Sequence, residues 1–217
     1  VRFAGRVVSG QYCIKGFVDF VVEKLKALRD SVIVKIDKPY NNEVEYGKLK
    51  LEVDVMFNPT HYARIYGEVY SMPRHLTDER YGIIKEGDTV YFHYNVVDDS
   101  HLYGDYYSVD VERIFCTVRN GDIIPLCEWV LVNPLVEERK TVNVGGKNVD
   151  VRMKGDLVVG INKKVMADKA QIAYISDNDM GLSNKDVVYI QPDFEFKNEI
   201  EGKEYYCVRK KDLLGKI

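Results

Sequence analysis

The chain has 217 residues, of which 46% are hydrophobic and 30% charged, and its formal net charge is −3. This balance supports a buried core without covalent staples, and it lacks the basic field that a phosphate backbone demands. No run approaches the ~18 consecutive apolar residues of a membrane helix, and Val1 to Gly10 shows no secretory pattern. The expectation is therefore a cytoplasmic protein that binds neither nucleic acid nor membrane.

In chain order, residues 1–26 form an N-terminal extension with a short helix. Phe17, Phe20, Val21, Leu25 and Leu28 share one helical face, opposite Glu23, Lys24 and Lys26, so the spacing predicts a helix from Phe17 to Leu28. From Ser31 onward the chain turns to short runs rich in Val, Ile and Tyr, such as Val32 to Ile36, Thr89 to Phe92 and Val187 to Ile190. Stiff β-branched and aromatic side chains suit a pleated surface, so these runs predict strands. Leu49, Leu51, Val53 and Val55 alternate with charged residues, and Val142, Val144, Val149 and Val151 alternate around Gly145-Gly146. That period of two predicts an extra hairpin in each place. A second, very short helix is predicted over Lys210 to Leu214. The chain reads as mainly β.

Three blocks recur in the same order. Asp30-Ser31-Val32-Ile33-Val34-Lys35 is similar to Glu128-Trp129-Val130-Leu131-Val132-Asn133, 98 positions on (128 − 30). Gly87-Asp88-Thr89-Val90-Tyr91-Phe92 is similar to Lys185-Asp186-Val187-Val188-Tyr189-Ile190, also 98 on (186 − 88). Val118-Arg119-Asn120-Gly121-Asp122-Ile123-Ile124 is paired with Val208-Arg209-Lys210-Lys211-Asp212-Leu213-Leu214, 90 on (208 − 118). The order predicts a duplicated unit, 27–126 and 127–217, joined near Leu126 with almost no linker.

Within each unit the blocks resemble those of GroES-like co-chaperonins. An opening strand of the type D-R-V-I-V-K is matched by Asp30 to Lys35, and a middle strand of the type G-E-V-L-A-V by Gly67 to Met72. A turn and strand of the type V-K-V-G-D-x-V-x-F is matched by Ile84 to Phe92, and a closing D-I-L by Asp122-Ile123-Ile124. The resemblance covers about Ala27 to Ile217 and implies two tandem GroES-like β-barrels behind the N-terminal helix. It further implies a mobile loop between the first and middle strands, with a short aliphatic triplet that docks on a chaperonin ring (GroEL-like). In the second unit Leu157, Val158 and Val159, after Gly155-Asp156, match that triplet; in the first the nearest candidates are Val55, Met56 and Phe57. The resemblance carries a non-enzymatic role with no cofactor, nucleotide being bound by the partner ring, and a homo-oligomer. The Pro73 to Gly82 connection shrinks to Asp177 to Gly181 in the second unit, a divergence that fits a phage-encoded member.

No recognisable catalytic centre stands beside this. His61, His75, His93 and His101 lack ligand spacing, and Asp98-Asp99 and Asp177-Asn178-Asp179 read as turns rather than calcium loops. Cys13, Cys116, Cys127 and Cys207 form no C-x-x-C pair and read as buried reduced thiols. The 16 tyrosines suit subunit interfaces or barrel exteriors. The leading expectation is a co-chaperonin-like lid; the alternative is a structural subunit of a viral particle or other assembly built from the same units.

Overall fold

The computed structural model describes residues 25–41, 43–52, 62–73, 83–126, 128–136, 139–154, 157–160, 165–176, 180–192 and 196–217. The chain is mainly β. Two antiparallel sheets dominate, the first drawn from Ser31 to Pro125 and the second from Trp129 to Lys216.

In the first sheet, β1 (Ser31–Lys35) lies between β4 (Tyr66–Ser71) and β7 (Tyr106–Asp110). With β5 (Thr89–Phe92), β6 (His101–Tyr103), β8 (Ile114–Arg119) and β9 (Asp122–Pro125) the order is β6-β7-β1-β4-β5-β8-β9. The second sheet contains β10 (Trp129–Val136), β14 (Val165–Ile175), β15 (Val187–Ile190), β16 (Phe196–Ile200), β17 (Lys203–Arg209) and β18 (Leu213–Lys216), in the order β16-β17-β10-β14-β15-β18. Laid side by side, six strands of the first match all six of the second in sheet order and in chain order. Among the described strands of the two sheets, β9 alone has no counterpart.

The correspondence extends to single residues. Val34 faces Val69 and Ile33 faces Ser71, with a bulge between; Val132 faces Ile172 and Leu131 faces Tyr174, with a bulge in the same place. Phe92 faces Ile114 and Ile190 faces Leu213, again each after a bulge. Bulges are built-in features of a pairing rather than accidents, so their repetition is stronger than any shared dipeptide. The turns before β5 and β15 also agree. Asp88 accepts a hydrogen bond from the Lys85 N–H at 2.8 Å, and Asp186 accepts one from the Ser183 N–H at 2.8 Å. The residue preceding each aspartate has positive φ, 86° at Gly87 and 77° at Lys185. Glycine takes this conformation freely, whereas lysine holds it against steric cost.

The third sequence block does not hold. Val118-Arg119 ends β8, whereas Val208-Arg209 ends β17, the counterpart of β7. The true counterpart of Val208 is Val109, 99 positions earlier (208 − 109), because they face Val130 and Val32. The helix expected over Lys210 to Leu214 is a single 3-10 turn, Lys210–Asp212, followed directly by β18. An identical turn, Val111–Arg113, precedes β8.

Neither sheet closes into a barrel among the described residues, contrary to the two barrels expected; each order ends on two different strands. A sheet apolar on one face can hide it by closing on itself, but the second sheet is buried on both faces. β10 is buried on consecutive positions, and the period of two sends its residues into two cores. Val130 and Val132 point into the second sheet's own core with Ile172, Val188 and Ile190. Trp129 and Leu131 point the other way, into a core shared with Val34, Phe92, Ile114 and Phe115. The second sheet's own core therefore lies on one face and its packing against the first sheet on the other.

Most of the predicted N-terminal helix lies outside the described residues, and Leu25 to Leu28, its final turn, is not helical. The Ala27 N–H donates to Ser71 Oγ at 3.3 Å instead of to a helical carbonyl, and leads the chain into β1. Among the described residues no helix is long and apolar enough to cross a membrane.

Candidate docking segments and the joint between the sheets

Each sheet carries an insertion at the same topological point, between its first and second strands in sequence. In the first sheet it is the hairpin β2 (Glu43–Tyr46) and β3 (Leu49–Glu52); in the second it is the three-stranded sheet β11 (Arg139–Val144), β12 (Lys147–Lys154) and β13 (Leu157–Gly160). Both rise from paired necks. Tyr40 bridges Ala63, and the Arg64 N–H donates to the Pro39 carbonyl at 2.8 Å. In the second, Pro134 faces Ala170 and Val136 faces Val165. The alternation of apolar residues read from the sequence therefore corresponds to real hairpins. Gly145 and Gly146, at φ 60° and 81°, make the β11–β12 turn, and the Gly146 N–H donates to Asn143 Oδ1 at 3.0 Å. Two successive residues of positive φ are what a two-residue turn between right-twisted strands requires.

Leu157, Val158 and Val159 lie in β13, at the edge of its sheet, where Leu157 faces Lys154 and Val158 faces Met153. Val159 is the extra residue of a bulge, since Gly160 faces Arg152. Thus the triplet stands in a strand with one backbone edge unpaired among the described residues. Val55, Met56 and Phe57 lie outside the described residues. Adjacent to them, Leu49 and Leu51 of β3 are 64% and 51% exposed and, two apart in a strand, share a face.

The near absence of a linker implies two units packed together, but not the aromatic residues that join them. At the centre of the joint Phe115 meets Trp129 edge-on at 4.6 Å and Phe196 at 5.7 Å, and His93 meets Phe196 edge-on at 4.7 Å. Indole Nε1 donates to the Glu112 carbonyl at 3.2 Å, and the Tyr91 hydroxyl donates to the Glu201 carboxylate at 3.3 Å. These bonds satisfy the polar ends of rings whose bodies fill the joint. Burial pushes the Tyr91 phenol up to about 12. Burial also lowers the pKa of His93, reinforced by Arg113. Arg209 covers the outer face of Trp129 at 5.1 Å. A cleft of ≈ 1030 Å³ runs beside the joint, lined by Tyr66, Tyr91, Tyr94, Lys197 and Glu201 among others.

This cluster had a sequence signal, but a subtle one. With the two sheets in register, Trp129 stands opposite Ser31, Phe115 opposite Leu214 and His93 opposite Gln191. Aromatic residues in one copy and smaller or polar ones in the other mark a contact that, among the described residues of the chain, one copy makes. The first two pairs follow from the offset of 98 (129 − 31, 191 − 93), whereas Phe115 with Leu214 needs the offset of 99 that the third block obscured.

The remaining candidates are structural. His101 Nε2 lies 2.9 Å from the Gly104 carbonyl in a hairpin turn. Asp98 accepts from the Tyr40 hydroxyl at 2.6 Å, and Asp99 pairs with Arg113 at 3.5 Å. Cys116 and Cys207 are free, buried thiols whose pKa values burial pushes up, that of Cys207 to about 12. Low reactivity follows, because the thiolate is the nucleophile. His61, His75, Cys13, Cys127 and Asp177-Asn178-Asp179 lie outside the described residues. A comparison with models of known protein families finds no match, and neither does a comparison with curated protein sequences.

Proposed function

We propose that this chain is a double GroES-like unit, 27–126 and 127–217, that acts as a co-chaperonin-like lid on a chaperonin ring and assists protein folding without an active site of its own. The observation that carries the reading is the repeated insertion. Both sheets interrupt the same connection, between first and middle strands, which is where the resemblance puts the docking element. In the second unit that insertion bears Leu157-Val158-Val159 on an edge strand.

The physics of such an anchor is favourable. Each Val or Leu side chain buried on a partner contributes roughly 1.5–3 kcal/mol. Ordering a disordered loop costs about 1–2 kcal/mol per residue in backbone entropy. Several such anchors in one assembly then act together at high effective concentration.

The test is retention of the protein on an immobilised chaperonin in the presence of ATP. Wild type is retained, and Leu157→Asp/Val158→Asp is lost. Equal retention of both removes this triplet from the mechanism; retention of neither ends the lid reading.

A second reading, a structural subunit of a particle, draws on the pairing of β13. An anchor already built into a three-stranded sheet also suits a permanent contact. Limited proteolysis separates the two: rapid cutting between Gly155 and Lys169 accords with a mobile docking segment, resistance with a fixed brick.

A further inference from the structure

The β16–β17 hairpin touches the first sheet at Tyr91, whose hydroxyl donates to the Glu201 carboxylate at 3.3 Å. Next to that contact the two sheets enclose the cleft of ≈ 1030 Å³, and its walls differ in chemistry. One wall is aromatic. Tyr66 and Tyr91 face each other across β4 and β5 with ring centroids 5.5 Å apart, and Tyr94 follows β5. Tyr66 and Tyr94 are 39% and 36% exposed. The other wall is acidic. On β16, Asn198 and Ile200 are buried, so Lys197 and Glu199 turn outward, and Glu204 stands opposite Glu199 on β17.

The acidic wall is short of positive charge. Lys197 Nζ is engaged with Glu204 at 2.7 Å. Glu199 faces that same carboxylate across the strand pair, an arrangement of like charges that destabilises a sheet. A further cation held against Glu199 relieves the repulsion. The aromatic wall suits the same ligand, because the electron-rich face of a tyrosine attracts a guanidinium or ammonium group. The chain itself shows this: the Arg64 guanidinium lies 5.2 Å over the Tyr66 ring, from a separate pocket of ≈ 160 Å³. Two independent features, rings on one side and unbalanced carboxylates on the other, select an organic cation. Size narrows the choice. The cleft stands at the upper end of small-molecule sites, which run to ~1,000 Å³, and has room for far more than one cationic head group. Ala63 and Ile65 add apolar lining and Asn41 an amide, the chemistry that a stretch of backbone requires.

We propose that this cleft binds a basic, extended segment of another protein, with an arginine or lysine side chain inserted between the tyrosine wall and Glu199. The site uses none of the residues of the Leu157-Val158-Val159 strand, and it stands whether the chain is a lid or a particle subunit.

Fluorescence anisotropy with the full chain tests this, using a short fluorescein-labelled peptide of alternating glycine and arginine. Wild type binds it saturably, and a glycine–glutamate peptide of the same length does not bind. Glu199→Gln and Tyr94→Leu each weaken binding by about three- to tenfold, with unchanged circular dichroism because both side chains are exposed. Tyr94→Leu keeps the apolar bulk, so its loss reports the ring and not the volume. Should it misfold, Tyr66→Leu probes the same wall. Asp122→Asn, outside the cleft, removes the same charge as Glu199→Gln and binds as wild type. Absence of saturable binding overturns the proposal. So does equal binding by wild type and both cleft variants, which marks general attraction to an acidic chain. Free arginine amide or spermidine that binds as tightly as the peptide overturns the assignment to a polypeptide, and binding of maltohexaose in place of the peptide overturns the cation.

Discussion

Gly67 shows how tightly a duplicated position can be specified in one copy and relaxed in the other. A Cβ at Gly67 would lie 2.5 Å from Val34 Cγ1 and 2.7 Å from the Lys35 carbonyl, closer than side chains tolerate. The second sheet carries Ala170 at the same place, facing Val188 as Gly67 faces Val90. The backbones of β1 and β10 must therefore stand at slightly different distances from their neighbours. Gly67→Ala is expected to destabilise by about 1–3 kcal/mol through overpacking, seen as a lower urea midpoint at unchanged slope. A neutral or stabilising result would mean that β1 can move aside as β10 does. Glycine at 67 resembled a family motif in the sequence, but its reason, a close approach of two strands, belongs to packing alone.

Among the elements, the turn before β5 shows what a local motif can and cannot reveal. Gly87-Asp88 announced a turn in the sequence, and the turn is there. Its strongest bond joins a residue far along the chain: Arg119 grips Asp88 at 2.6 and 2.8 Å, and Thr117 Oγ1 donates to it at 3.2 Å. Burial alone would raise the Asp88 pKa, but the Arg119 pair and the Lys85 N–H outweigh it and hold the carboxyl below its usual range. A carboxylate whose pKa is depressed on folding stabilises the fold above the ordinary value near ~4 and loses that contribution as pH falls through the folded value. Asp88→Asn is therefore expected to cost about 1–3 kcal/mol at neutral pH and to flatten the loss of stability below pH ~4. Parallel acid-unfolding curves for the two proteins would rule this out. The same contrast explains which repeats were legible. The first and second blocks aligned because bulge, turn and core residues fix their sequence closely. The third failed because Val-Arg ends two different strands, and a strand end is specified by little more than one buried and one exposed position. The insertions were legible as alternation. Their paired necks were not, because those bonds join residues more than twenty positions apart.

For the whole molecule, the decisive feature is the shared core. The single tryptophan of the chain sits in it, against Phe115, and so reports on the joint. Phe115→Ala is expected to destabilise by about 3–5 kcal/mol and to separate the tryptophan fluorescence transition from that of far-ultraviolet circular dichroism in urea. Coincident curves with an unshifted midpoint would show that the sheets do not depend on this ring. Composition foretold a mainly β chain, and repetition foretold two like units. Neither foretold that β10 would bury one face in its own unit's core and the other in the joint, since that depends on which face of β10 meets which neighbour.

The connection from β9 to β10 is only a few residues long, and it is hydrogen-bonded: Leu126 N–H to the Phe115 carbonyl at 3.0 Å, Trp129 N–H to the Leu126 carbonyl at 2.8 Å. So brief a bridge has a genetic consequence. While two like units remain separate products of one gene, any substitution on a mating surface is stamped on every contact at once. Fused, they carry two independent alleles of that surface in a single reading frame. Selection can then bury the surface at Phe115 in a permanent joint while leaving its counterpart at Leu214 open to solvent.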